Sequence, residues 1–261
     1  MPKLAIISGA KKQSGNGQPC SMKELIKKWV KRIPIAFTRN QQYDQQTRRI
    51  IAKVCHPTAN FIDVGCHKGE VLDIVLRYAP QGTHWGFEPI PVLFDNLVQK
   101  YRAQSNCTIA DIALSRDNGT ATFNYVVCNP SYSGLRKRQY DRSGEQDTTI
   151  TVQTRKMDDF LPANYRPDLI KIDVEGGELF VLEGAIKTLS QYRPVVIFEH
   201  GLGASEFYEA TPERIFDLFE QCGMSVGLME HWLKGLPPLS KTELSRQFYQ
   251  KINYYFIAYP H

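Results

Sequence analysis

Nowhere in the 261 residues is there a run of about 18 apolar residues, so no transmembrane helix is expected. The first apolar stretch, residues 4–7, is too short for the hydrophobic core of a signal peptide. The six cysteines (Cys20, Cys55, Cys66, Cys107, Cys128 and Cys222) form no Cys-x-x-Cys pair and no cysteine–histidine metal spacing. They read as reduced thiols of a cytoplasmic protein, mostly buried as small apolar groups. Gly-Lys-Ser/Thr is missing, which excludes a P-loop. No histidines accompany the acids at ligand spacing, so no metal is expected. There is no internal repeat and no Asn-Pro-Pro-Tyr-type amine site. Basic clusters are short, and no nucleic-acid partner is expected. The net charge of +5 suits an anionic substrate or membrane surface without requiring either.

What is present begins with a flexible leader expected over residues 1–21, rich in Gly, Ser, Lys and Gln. N-terminal helices are expected over 22–58. Met22, Leu25, Ile26, Trp29, Val30 and Ile33 fall on one helical face, with lysines and Arg32 around the rest. Such a face can lie on an anionic membrane as a peripheral contact. Packing on the rest of the protein or on a second copy in a homo-oligomer is the reading preferred here. A second helix carries Tyr43, Thr47, Ile50, Ile51 and Val54 on one face.

From residue 59 to 261 strands and helices alternate, which predicts a mostly parallel sheet covered on both faces. Strands are expected at 61–64, 85–87, 108–110, 169–173, 195–198, 224–229 and 252–259. Helices are expected at 69–78 and 91–102, in one piece through Leu179, Leu182, Ile186 and Leu189, and from Thr211-Pro212, where an N-cap precedes proline. Residues 114–154 interrupt the alternation with a β-hairpin joined by a polar loop holding Ser131, Ser133, Arg136, Lys137, Arg138 and Arg142. Four cations in seven residues read either as a solvated loop whose charges keep it soluble or as a site for an acceptor bearing phosphate, carboxylate or sulfate.

The strand Phe61–Val64 runs into Gly65-Cys66-His67-Lys68-Gly69, and Glu88 ends the next apolar run. A strand, a glycine loop and a helix form the place where α/β proteins hold nucleotide-like ligands. A carboxylate about 20 residues on is placed for ribose hydroxyls. The middle glycine of the dinucleotide fingerprint is missing, which argues against a nicotinamide cofactor. S-adenosylmethionine has no phosphate and carries two cationic centres, so it tolerates Asp63 and fits better. A second constellation, Lys171-Ile172-Asp173-Val174-Glu175-Gly176-Gly177-Glu178, places acids at the carboxyl end of a strand. Helix capping accounts for one such acid, not three. Phe198-Glu199-His200-Gly201 ends the following strand at the same edge, and His200 reads equally as a candidate base or as a plain polar loop residue.

Taken in order, Asp63-Val64-Gly65-x-x-x-Gly69, Glu88-Pro89-x-Pro91, Ala113-Leu114 with Gly119 and Phe123, Ser133-Gly134-Leu135, the Lys171–Glu178 segment with Leu182, Gly184 and Ala185, and Arg193-Pro194 with Glu199 resemble the FkbM family of S-adenosylmethionine-dependent methyltransferases. The resemblance covers roughly residues 45–200. One departure is Cys66-His67, where the family usually has Ala-Asn. It implies a class I, Rossmann-like fold with seven strands, the last one, residues 253–259, antiparallel. It also implies O-methylation of a small-molecule or glycan hydroxyl. Asp63, Gly65, Cys66, His67 and Gly69 would then surround the methionine part of the cofactor. Glu88 would bind the ribose, and Asp111 and Ile112 would flank the adenine. Asp173 and Glu175 would face the methyl end, with Glu199 and His200 as further catalytic candidates. Ser133, Arg136 and Arg138 would meet the acceptor. Two other classes stay open: a nicotinamide-dependent oxidoreductase on the same loop, and a non-catalytic binding protein with a relic site.

Overall fold

The computed structural model describes residues 38–138 and 146–261. The expected leader, the amphipathic segment 22–33 and Arg142 lie outside the described residues. Helix α1 (Arg39–Val54) opens on a capping box, in which Thr38 and Gln41 each bind the other's backbone N–H. Its buried face is Tyr43, Thr47, Ile50 and Ile51, as the spacing predicts. The chain continues through β1 (Phe61–Val64), α2 (Glu70–Tyr78), β2 (His84–Phe87), α3 (Pro91–Tyr101) and β3 (Cys107–Ala110). Then come β4 (Ile112–Leu114), β5 (Gly119–Val126), β6 (Asp147–Arg155), α4 (Met157–Phe160) and β7 (Leu169–Ile172). The last part holds α5 (Glu178–Glu183), α6 (Ile186–Tyr192), β8 (Val195–Glu199), α7 (Pro212–Gln221), β9 (Met224–Gly227), α8 (Met229–Leu233), α9 (Lys241–Tyr249) and β10 (Tyr255–Pro260).

Seven strands form one sheet in the order β3-β2-β1-β7-β8-β10-β9. All neighbours run parallel except β10, which is antiparallel to β8 and β9. This is the class I sheet the sequence led us to expect. Every residue of β1 and β7 is buried, as befits central parallel strands with helices on both sides. Side chains alternate between two cores. Phe61, Leu169, Ile197 and Ile257 pack with Ile50 and Ile51 of α1, Leu72 and Val75 of α2, and Met229 of α8. Ile62, Ile170, Val196, Phe198 and Phe256 face the other way, toward Leu182, Leu189, Ile215 and Phe219.

Three details differ from the sequence reading. The single helix expected through Leu179 and Leu189 is broken into α5 and α6. Gly184 sits at the break, where a Cβ would lie 2.1 Å from the Ser115 carbonyl oxygen, so the chain needs the close approach more than it needs a continuous helix. The 114–154 hairpin gains a third strand: β4 pairs in parallel with β6, and β6 pairs antiparallel with β5. Helices α8 and α9 fill a stretch where no helix was expected. Ser240 caps α9 by accepting from the Glu243 N–H, and Leu244 and Phe248 are its buried face, so Ser-x-x-Glu was the readable start signal.

Candidate active site

The carboxyl ends of β1, β2, β7 and β8 border a cavity of about 1540 Å³, large enough for a cofactor and a second molecule together. The turn after β1 is tied down from below: Gly65 and Cys66 both donate to the Phe87 carbonyl, at 3.0 and 3.2 Å. His67 takes a left-handed backbone, φ 47°, a conformation asparagine and histidine accept more readily than most residues. That accounts physically for histidine standing at a position where asparagine is usual. The His67 N–H donates to Glu88 Oε2 at 2.8 Å, and Ile90 N–H donates to Glu88 Oε1 at 3.0 Å. Glu88 thus braces the loop and lines the cavity at once. Burial pushes its carboxyl up to about 7. Asp63 is almost completely buried, and its Oδ1 has no hydrogen-bond partner. Burial pushes it up to about 6, with the Lys171 ammonium working against the rise. Ile112 lines the cavity; Asp111 is exposed and does not.

A second group of acids stands at the ends of β7 and β8: Asp173 and Glu175 follow β7, and Glu199 closes β8. Asp173 Oδ2 accepts from Lys171 Nζ at 2.9 Å and from Tyr255 Oη at 2.6 Å. Asp173 and Glu199 also share a hydrogen bond, which needs one proton between them. Glu199 holds it, pushed well up by burial and by the Asp173 charge, while Lys171 and the hydrogen bonds keep Asp173 below the ordinary carboxylate range. Glu175 follows with a left-handed backbone, φ 56°. Burial and the neighbouring Asp173 raise its proton affinity, and Arg138, paired with it, opposes that. The third acid of the motif has a different task. Glu178 Oε1 accepts from the Val174 and Gly176 N–H groups at 3.1 Å each and fixes the loop that presents Glu175. Carboxylate oxygens of Asp173, Glu175 and Glu199 lie within 4.8 Å of one another, close enough to hold a cation. Lys171 and Arg138 supply positive charge at the same place.

The small sheet forms the opposite wall. Ser133 lines the cavity, and its hydroxyl accepts from the Val126 N–H at 2.9 Å. The cation cluster is divided among three tasks. Arg136 does not line the cavity; it donates to the Phe207 carbonyl at 2.8 Å and lies over Tyr208 and Phe180. Lys137 pairs with Asp147 at 2.7 Å. Arg138 reaches the cavity, pairs with Glu175 and lies 5.0 Å from the Tyr132 ring centre.

His200 is not brought into the cavity. It is fully buried, stacks on Phe248 with ring centres 4.4 Å apart, and neither ring nitrogen has a partner. Burial pushes it down to about 3. Because the unfolded chain takes up the proton near 6.5 and the folded one only near 3, this histidine makes the fold lose stability as pH drops from about 6.5 toward 3. His200→Phe is therefore expected to fold and to keep activity. Its stability should also lose less on acidification, by about 2 kcal/mol at pH 5 relative to wild type. Urea unfolding at pH 7 and pH 5 measures this, and parallel losses in the two proteins would remove the claim.

Sequence reasoning missed Lys171 and Tyr255 as partners of Asp173, and Arg138 as the partner of Glu175. An isolated lysine inside an otherwise apolar strand was the signal for the first.

The family model described as "Methyltransferase FkbM domain" matches residues 63–226. The chain is 26% identical over 163 residues to the 2-O-methyltransferase NoeI of Sinorhizobium fredii, covering 56% of this chain and 65% of that protein. It is 28% identical over 172 residues to methyltransferase sdnD of Sordaria araneosa, covering 52% and 66% respectively. The match thus spans just under two thirds of the length of these curated relatives. A crystal structure of methyltransferase FkbM from Methylobacillus flagellatus is similar at 15% identity, with a TM-score of 0.49 over 78% of this chain and 44% of that one.

Proposed function

This chain belongs to the FkbM methyltransferase family, and we propose that it transfers a methyl group from S-adenosylmethionine to a hydroxyl oxygen of a sugar, polyketide or related metabolite. The observation that carries the cofactor assignment is acidity at the glycine loop. Asp63 and Glu88 are both buried in the cavity wall there, and Asp63 Oδ1 lacks any partner. A pyrophosphate would meet two acceptor carboxyl groups where it needs donors. A ligand offering an ammonium and ribose hydroxyls gives these oxygens donors. Asp63 would take the amino group and Glu88 the ribose, with the Gly65–Gly69 turn around the methionine part and Ile112 on the adenine. The cofactor supplies an activated methyl group.

The chain's own part is alignment and proton removal. An alcohol is a weak nucleophile until its proton leaves. Among the acids on the acceptor side, Asp173 is engaged by Lys171, Tyr255 and Glu199 and has a low proton affinity. Glu175 has a raised one, which suits a base working near neutral pH. We assign Glu175 to take the acceptor proton at its carboxylate, and Asp173 to orient the hydroxyl. Among the described members of the cation cluster, Arg138 is the one that reaches the cavity and could meet an anionic group on the acceptor, in competition with Glu175.

Calorimetry with S-adenosylmethionine, S-adenosylhomocysteine and NAD tests the cofactor. Binding of the first two and not of NAD is expected, and the reverse pattern would sink the reading. Glu88→Ala should weaken cofactor binding by about 1.5–3 kcal/mol, the worth of hydrogen bonds to a charged group. A melting curve of the free variant separates that from loss of the loop brace. Labelled-methyl transfer to a panel of glycans and hydroxylated metabolites tests the reaction.

A further inference from the structure

Lys171 stands where the strand pattern calls for an apolar residue. Its neighbours Ile170 and Ile172 are buried, and Lys171 itself is 8% exposed. Burying an ammonium in a parallel sheet is costly unless its charge is matched. Strand register shows what matches it. Asp63 of β1 is the direct neighbour of Lys171 on β7, and Glu199 of β8 is the direct neighbour of Tyr255 on β10. Asp173 is two residues beyond Lys171 and so points to the same face. Five polar side chains from four strands therefore form one row along the cavity edge of the sheet. Lys171 is the only cation in it, between a carboxylate on the cofactor side and one on the acceptor side. Its Nζ donates to Asp173 at 2.9 Å, and Asp63 Oδ1 is left without a partner.

We infer that Lys171 is a positioning residue serving both halves of the site: its ammonium holds the Asp173 carboxylate for the acceptor and stands beside the Asp63 carboxylate that meets the cofactor's cationic end. The inference rests on the cofactor reading above. An ion pair with Asp173 alone would not need a position beside Asp63.

The electrostatics agree. Burial alone would depress the Lys171 ammonium, but Asp173 and Asp63 outweigh it and hold the charge on. For Asp63, burial raises the carboxyl and Lys171 is the strongest force bringing it back. The other groups facing this ammonium are Glu199, Tyr255, and Cys66 and His67 of the loop, while Tyr43 of α1 packs at a tilt against Tyr255 with ring centres 5.0 Å apart. Glu199 is protonated, burial keeps Cys66 a thiol and lowers the affinity of His67 for a proton, and the tyrosines are neutral. Near neutral pH the ammonium's ionised partners are thus Asp63 and Asp173.

The test is the pH dependence of S-adenosylmethionine binding, measured by calorimetry for wild type, Lys171→Arg, Lys171→Met and Lys171→Met/Asp173→Asn. Glu88, which faces Asp63 and is pushed up to about 7, adds a step common to all four proteins; below it wild-type affinity should fall as pH drops through about 6, because protonated Asp63 no longer attracts the ligand's ammonium. In Lys171→Met the same fall should come about one pH unit or more higher. Lys171→Arg keeps the charge and should follow the wild-type profile. The double variant leaves no member of the ion pair unmatched, so it folds where the single variant fails to. It should show a smaller shift in the same direction, because Asp173 no longer pushes Asp63 up. A merely structural lysine would lower the melting temperature without moving the profile. Coincident profiles for wild type and the methionine variants would overturn the inference while leaving the cofactor reading intact. Absence of binding by wild type at every pH would overturn both.

Discussion

Glu175→Gln should lower turnover by about 10²–10⁴ while cofactor affinity changes little, because a base acts in the transition state and not on the bound cofactor. The size of the effect follows from the local backbone. Glu175 sits at φ 56° between Val174 and Gly176, in a loop that Glu178 holds from beneath by two backbone hydrogen bonds. That bend aims the carboxylate into the cavity, against Arg138. Burial and the charge of Asp173 raise its proton affinity. The base form therefore accumulates as pH climbs above the ordinary carboxylate range, and kcat/KM should rise with it. The Gln variant should lose that rise along with the rate. Asp173→Asn should also lower turnover, but with the rise retained and moved to lower pH, since Asp173 stays ionised throughout the working range and its charge helps raise Glu175. Initial rates with labelled cofactor, taken from pH 6 to 9, measure all three. A Gln variant that turns over at the wild-type rate would reduce Glu175 to a loop residue and return base duty to Asp173 and Glu199.

Asp173 and Glu175, with Glu199, Asp63 and Glu88, were readable because each lies at or near the end of an apolar run, and carboxyl ends of strands form the ligand edge of an open α/β sheet. The alternation of runs also disclosed the parallel sheet and its helices. What the sequence withheld depends on strand order and on side-chain direction. Tyr255 lies 82 residues after Asp173, yet it donates to the same oxygen as Lys171, because the last strand of the chain inserts beside β8. Nothing local to Tyr255 announces that. Direction explains His200 and the cations. Glu199 and His200 are adjacent, and adjacent residues at a strand end point to opposite sides. One meets Asp173 in the cavity and the other stacks on Phe248. In the same way Arg136, Lys137 and Arg138 are consecutive and find three different surroundings. Counting cations in a window treats them as one patch, although each side chain finds a different partner.

Gly65→Ala should destabilise the protein by about 3 kcal/mol or more and take most of the activity with it. The residue has φ 78°, a region that an L side chain enters at a cost of roughly 1–2 kcal/mol. The larger part comes from space. A Cβ at Gly65 would lie 2.0 Å from the carbonyl oxygen of Asp173, and main chain cannot swing aside as the end of a side chain can. The Asp173 N–H donates to the Val64 carbonyl at 3.0 Å, so any retreat of Asp173 pulls on β1 as well. The two motifs singled out in the sequence are thus in direct contact, and relief of the clash would displace the acceptor-side acid from the cofactor loop. Gly235→Ala separates the two costs. Gly235 has nearly the same backbone, φ 68°, with nothing within 4 Å of its would-be Cβ, and should lose only about 1 kcal/mol. Urea unfolding of both variants gives the difference, and labelled-methyl transfer shows whether activity follows it. Equal stabilities would mean that the Asp173 carbonyl yields without resistance, and the close approach would then have no part in holding cofactor loop and catalytic acids in register.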